Sequence, residues 1–355
     1  MSSPSWFTKA LRSWYTAGHR DLPWRHTRDP YRIWLSEVIL QQTRIDQGMA
    51  YYERFVEKHP TVHHLAAAAD DEVMRLWQGL GYYSRARNLL VAARAVVNEH
   101  GGRFPDTVEA LRGLKGVGDY TAAAIASIAF DRPAAVVDGN VYRVLARVFG
   151  IATPIDSTAG RREFSALAGD LLDPEHPGDH NQAVMELGAT VCLPRSPRCG
   201  QCPVATRCIA RREGRIAHLP VKVGRATVRD RHFNYLCIDV DGGLMLRKRE
   251  GRDIWQGLHE PPLLESEAPL DRAAFRKALR RWLGAGWTIT GDHGPTRHVL
   301  SHQVLHARFW EVVPPRTFTP PPDWRSVDLT ELEKVAVPRL IERYLALRRA
   351  RGLFG

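Results

Sequence analysis

The chain has 355 residues, of which 44% are hydrophobic and 25% charged, and a formal net charge of +11. That length exceeds what one core comfortably serves and predicts two domains of ordinary globular composition. No apolar run approaches the roughly 20 residues of a membrane helix, which argues against a membrane partner, and the basic balance suits a polyanion, nucleic acid first. The N-terminal "MSSPSWFTKALRSW" lacks an apolar signal core, so the expected location is the bacterial cytoplasm, at the nucleoid, or an organelle if a transit peptide has been removed.

From Trp6 to about Ile209 the pattern is helical, with no strand-period segment of any length. "PYRIWLSEVILQQTRI" carries apolar residues at Ile33, Trp34, Val38 and Leu40, with Ile45 further on. Glu37 is embedded among Trp34, Leu35, Val38, Ile39 and Leu40. Such a carboxylate either faces water or is buried for a purpose, and burial raises its pKa towards that of a proton donor at neutral pH. "DDEVMRLWQGLGYY" opens with acids, as a helix N-terminus does, and ends at a Gly-Leu-Gly break. "SRARNLLVAARAVVNEHG" is a helix that stops at Gly101.

"LKGVGDYTAAAIASIAF" places Gly116, Val117 and Gly118 before an alanine-rich helix. The glycines make either a tight turn with positive φ or a helix–hairpin–helix, whose backbone N–H groups bind a DNA phosphate. Leu-x-Gly-Val-Gly-x-x-Thr-Ala, from Leu114 to Ala122, matches the second along its length. Asp138 stands between an apolar run and the helix of Val141, Val144, Leu145 and Val148. It reads as an N-cap, and a cap can also be a catalytic carboxylate that the helix terminus keeps ionised. One ionised and one protonated acid is the pairing expected for glycosidic bond cleavage. "HNQAVMELGATVC" completes the helical run.

Cys192, Cys199, Cys202 and Cys208 follow, spaced C-x6-C-x2-C-x5-C. Structural zinc favours two close pairs separated by a longer gap, whereas four thiolates in one compact loop suit a 4Fe–4S cluster. Arg195 and Arg198 lie inside the loop and suit phosphates, which points to a structural cluster; an electron carrier is the other reading. Cys237 reads as a buried spectator.

"REGRIAHLPVKVGRATVRD" has no periodicity and reads as a linker over 213–230. Beyond it, "RHFNYLCIDV" and "LMLRKRE" flank "DGG", a hairpin signal. "DRAAFRKALRRWLG" reads as a helix, "HVLSHQVLHARFWEVV" as strand, and "LTELEKVAVPRLIERYLALRRA" closes with a helix, giving an α+β domain over 231–355. His298, His302 and His306 suggest a metal only weakly, because their spacing scatters on a strand.

"LPWRHTRDPYRIWLSEVILQQTRI", "LWQGLGYYSRARNL", "GVGDYTAAAI", "AVVDGNVYRVLARVF" and "NQAVMELGATVC" together resemble the endonuclease III superfamily of DNA glycosylases, and its adenine DNA glycosylase (MutY) branch most closely. The likeness covers nearly the whole chain and weakens after residue 230. It implies a mainly α helix–hairpin–helix glycosylase domain over 1–212 with an iron–sulfur loop, then a nudix-like α+β domain. In lyase members a lysine occupies the position of Tyr120 and forms a Schiff base, so a tyrosine implies a monofunctional enzyme. The resemblance gives Glu37 the protonation of adenine and Asp138 the stabilisation of the oxocarbenium-like sugar, with Tyr120 and Asn140 orienting both. It assigns the adenine pocket to Trp24, Arg25, Leu40, Gln182 and Glu186, and the residues inserted into the stack to Gln42 and Tyr82. Ser301 and His302 match the motif that senses 8-oxoguanine, although Leu300 stands where the family usually has an aromatic residue. No REx2EE-type helix follows "GLHEPPL", so recognition without pyrophosphate hydrolysis is expected. The implied partner is duplex DNA with adenine opposite 8-oxoguanine or guanine, bound by a monomer. A bifunctional glycosylase/lyase and a non-enzymatic iron–sulfur DNA-binding protein are the alternatives.

Overall fold

The structure, a computed structural model, describes residues 5–224, 228–240, 242–328 and 330–350. Helices come first: α1 (Ser5–Ala17), α2 (Pro30–Leu40), α3 (Ile45–Lys58), α4 (Val62–Ala67), α5 (Asp70–Leu76), α6 (Ser84–His100), α7 (Val108–Arg112), α8 (Asp119–Phe130), α9 (Gly139–Phe149), α10 (Thr158–Leu171), α11 (Pro177–Thr190) and α12 (Ile209–Arg212). Among the described residues no strand precedes Arg229. Then come β1 (Arg229–Cys237), β2 (Asp239–Val240), β3 (Gly243–Lys248), β4 (His259–Glu260), β5 (Leu263–Ser266), α13 (Arg272–Leu283), β6 (Thr288–Val299), β7 (Gln303–Val313), β8 (Trp324–Asp328) and α14 (Arg339–Ala350). No helix among the described residues is long and apolar enough to cross a membrane.

The chain divides into two compact units, Met1–Ala67 with Asn88–Gly224, and Ala68–Arg87 with Arg225–Gly355. In the first, short polar side chains start several of the helices. Asp29 caps α2 by accepting from Tyr31 N, Thr107 caps α7 through Ala110 N, and Ser157 caps α10 through Gly160 N. Helix α8 is buried continuously from Thr121 to Ile128. Its alanines leave room for α2, α7 and α11 to pack against it. Helices α9 and α11 come closer still: a Cβ on Gly188 would stand 2.6 Å from Asn140 Cβ. Glycine is therefore required there by space.

The second unit has two sheets, β5-β1-β7-β6 and a set in which β3 pairs with β2, β4 and β8. Strand β7 alternates its faces. Phe309 stacks on Tyr344 of α14 at 3.9 Å, and Trp310 stacks on Phe275 of α13 at 4.2 Å. Each such burial contributes roughly 1.5–3 kcal/mol, so the sheet is held between two helices by successive residues of one strand. The expected hairpin around "DGG" is narrower than the sequence predicts. Only β2 and β3 pair across it, whereas β1 runs antiparallel to β5 and parallel to β7. The chain changes sheets at Ile238, whose carbonyl accepts from Met245 N at 2.9 Å. Asp241 lies outside the described residues. The stretch read as one strand, "HVLSHQVLHARFWEVV", is β6, a turn and β7.

Candidate active site

Glu37 occupies the last turn of α2 and Tyr120 the first turn of α8. The Tyr120 hydroxyl donates to Glu37 Oε2 at 2.7 Å and also lies 3.3 Å from Met185 Sδ. Burial pushes the Glu37 carboxyl up to about 7; the Tyr120 hydrogen bond and the Arg25 charge oppose this, and the Asp138 charge adds to it. At neutral pH Glu37 is therefore divided between its acid and its base form, as a group that gives and then takes a proton must be.

Asp138 is the N-cap of α9. Its Oδ1 accepts from Asn140 N at 2.9 Å and Val141 N at 2.7 Å, and its Oδ2 accepts from Asn140 Nδ2 at 2.9 Å. The cap is as expected, but its electrostatic effect is not. Burial outweighs the three donors and Arg143, so the carboxyl sits above its ordinary value rather than below it. The donors still separate the two acids, since Asp138 has three and Glu37 has one. The charge of Asp138 reaches Glu37, so the two acids share one electrostatic environment.

Arg143 was not singled out by the sequence. Its guanidinium donates to Asn140 Oδ1 at 2.8 Å, Gly188 O at 2.7 Å and Cys192 O at 2.6 Å. It thus ties the Asp138–Asn140 pair to α11 and to the first cysteine. The available signal was two arginines four apart, Arg143 and Arg147, on a helix whose remaining spacing is apolar.

The expected adenine-pocket residues divide into two groups. Glu186 is buried, with its oxygens taken by Arg20 at 2.7 and 2.6 Å and by Arg25 at 2.7 Å. Burial works against its charge, yet the two arginines hold its pKa down at about 2. Trp24 is buried edge-on to Tyr52 at 5.1 Å, and Gln182 is buried on α11. Leu40 ends α2 half-buried. Gln42 is exposed with φ of 56°, a left-handed conformation that a glutamine rarely adopts.

In the hairpin, Gly116 has φ of 83° and lies so close to Asn88 that a Cβ would stand 2.7 Å from it. Gly118 caps α8 with no side-chain cap, and a Cβ there would meet open space. Its own backbone does not demand glycine, and the bare Cα leaves the outer side of the turn open. Val117 anchors the turn in the core.

Cys192, Cys199, Cys202 and Cys208 line one cavity with Val144, Val148 and Leu187, and none is in a disulfide. Burial pushes the Cys202 thiol up to about 11, against the Val204 N–H, and raises that of Cys208 too. Thiolates there need a cation beside them. Four converging thiols, an apolar wall and backbone N–H donors fit a 4Fe–4S cluster. Arg195 and Arg198 are exposed on the loop.

In the second unit Ser301 and His302 are the exposed centre of the β6–β7 turn, closed by Leu300 N donating to Gln303 O at 2.8 Å. The Tyr82 hydroxyl contacts Ser301 Oγ. These residues, with Arg87, Trp255 and Leu300, line a cleft of about 430 Å³. Tyr82 has φ of 46°. His298, His302 and His306 form no ligand group among the described residues.

Residues 35–167 match the HhH-GPD superfamily of base excision DNA repair proteins, 192–208 the iron-sulfur binding domain of endonuclease III, and 234–347 the NUDIX domain. The chain is 39% identical over 354 residues to the adenine DNA glycosylase of Mus musculus, covering 84% of this chain and 69% of that protein. It is 38% identical to the one from Homo sapiens, covering 84% and 65%. To the one from Buchnera aphidicola (strain Sg) it is 31% identical, covering 71% and 73%. A thermostable thymine-DNA glycosylase structure aligns with a TM-score of 0.54 and 32% identity over 58% of this chain and 95% of its own. An endonuclease III–DNA complex aligns at 0.51 and 23% over 59% and 95%, which speaks to the fold.

Proposed function

We propose that this chain, which belongs to the adenine DNA glycosylase family, hydrolyses the N-glycosidic bond of an adenine mispaired with 8-oxoguanine or guanine and leaves the strand intact. The observation that carries the reading is the acid pair, with a Glu37 that holds its proton near neutrality and an Asp138 held by three donors in the same site.

The adenine leaves the stack and enters a pocket formed by Trp24, Arg25, Leu40 and Gln182, with Glu186 acting through Arg25. Gln42 and Tyr82 fill the gap it leaves. Glu37 gives its proton to the purine, which departs as a neutral base. Asp138 stabilises the positive charge that develops on the sugar, or bonds to it transiently. Glu37, now a base, takes a proton from the water that attacks the sugar carbon. Tyr120 orients Glu37 and Asn140 orients Asp138. No amine stands at position 120, so a Schiff base does not form there and the enzyme is monofunctional.

The backbone of Gly116, Val117 and Gly118 binds a phosphate, and Arg195 and Arg198 bind others. When bound, the 4Fe–4S cluster supplies a rigid frame for that arginine loop. Ser301 and His302 read the 8-oxoguanine. Residues 1–212 form the glycosylase domain, 213–230 the connector and 231–355 the lesion-recognition domain. The protein works as a monomer at the DNA of the bacterial cytoplasm.

The test is a duplex carrying one adenine opposite 8-oxoguanine, incubated with protein and then with alkali. Cleavage of the adenine strand only, with no cut before alkali and no borohydride-trapped adduct, is expected. Efficient trapping with Tyr120 in place overturns the monofunctional reading.

A further inference from the structure

We propose that Arg147 is the buried counter-charge of the 4Fe–4S cluster and, through Cys192, raises the cluster's reduction potential. Arg147 lies on α9 and is 3% exposed. Its Nη1 donates to Leu193 O at 2.7 Å and to Cys192 Sγ at 3.5 Å. Its Nη2 donates to Pro194 O at 3.1 Å and its Nε to Leu219 O at 3.0 Å. Every nitrogen of the guanidinium is thus engaged, but by neutral carbonyls and one sulfur.

Among the described residues no carboxylate lies within ion-pair distance of it. That is unusual, because a guanidinium keeps its charge and a buried charge needs an opposite one. Carbonyl dipoles orient it without neutralising it. The same side chain lines the cavity into which the four cysteines converge. A 4Fe–4S core held by four thiolates is a net anion, and it supplies the missing charge.

The neighbouring arginine on the same face does different work. Arg143 turns to Asn140 and to the carbonyl of Cys192, whereas Arg147 reaches that cysteine's sulfur. One helix therefore carries a cation for the acid site and, one turn on, a cation for the cysteine loop. Hydrogen bonds to ligand sulfur and nearby positive charge favour the more negative, reduced form of a cluster. Losing them makes reduction harder.

The experiment uses the full chain with its cluster, as wild type, Arg147→Lys and Arg147→Gln, adsorbed on an electrode. Arg147→Gln keeps donors and loses the charge, so its potential shifts negative of wild type. Arg147→Lys keeps the charge and stays near wild type. Chelator-driven loss of the visible thiolate-to-iron absorption is several-fold faster in Arg147→Gln than in wild type. Three equal potentials overturn the proposal, because a packing role moves cluster retention but not potential. If Arg147→Gln carries no cluster, Arg147→Lys decides: a retained cluster at a near-wild-type potential supports the counter-charge, and an equally bare Arg147→Lys overturns it.

Discussion

The acid site of the first unit and the β6–β7 turn of the second are built on opposite principles. Glu37, Tyr120, Asp138 and Asn140 stand in the first or last turns of helices whose other faces are core, so their positions follow from packing. Ser301 and His302 stand on a two-residue loop that one backbone hydrogen bond closes, and both are exposed. On the proposed function, chemistry that must hold a proton in place uses the first design, and recognition of a lesion, which needs reach, uses the second.

The sharpest way to break that contrast is Glu37→Gln, which removes the proton donor and costs about 10²–10⁴-fold in single-turnover excision, measured opposite both 8-oxoguanine and guanine. Next comes Arg143→Leu, which frees Asn140 and lowers the same rate by about 10²-fold while duplex binding holds. An unchanged rate would mean that Asp138 is positioned by its cap alone. Ser301→Ala is expected to act on recognition only, with a preference for 8-oxoguanine over guanine that falls by about tenfold and an unaltered rate opposite guanine. Equal losses opposite both partners would erase the distinction between the two regions.

The smallest effect is a shift in pH. The rate falls as pH rises through about 7, where Glu37 loses its proton. Tyr120→Phe removes a hydrogen bond that favours the ionised form, so this alkaline limb moves up by about one pH unit or less. Stability follows the same group. A carboxyl whose folded pKa is raised favours folding below its unfolded pKa and loses that contribution as pH rises through the folded value. Glu37→Gln should therefore raise stability by roughly 3 kcal/mol at about pH 9 and by little at about pH 4, as read by denaturant melts.

The sequence was most legible where a residue type is improbable without a reason. A glutamate among Trp34, Leu35, Val38 and Ile39, two glycines one residue apart and four cysteines in one loop each stood out. It was least legible where charge pairs form across long separations. Arg20 and Glu186 meet over 166 positions, and neither position by itself announces the other. Arg143 and Arg147 acquire their meaning only once the helices on either side of them are known. The capped Asp138 shows a different limit. Sequence reveals the donors, but the burial that outweighs them depends on the assembled helices. Likewise the departure of β1 from the expected hairpin follows from a partner, β7, that starts more than sixty residues later.

The closeness of α9 and α11 has a hereditary side. Position 188 offers no side chain to any chemistry, yet one added methyl would press on Asn140. On the proposed function, a cell with that single change would leave adenines opposite oxidised guanines, and the next round of replication would copy them as thymines. Its signature would be a spectrum of guanine-to-thymine mutations traced to a glycine that no inspection of the reacting groups would suspect.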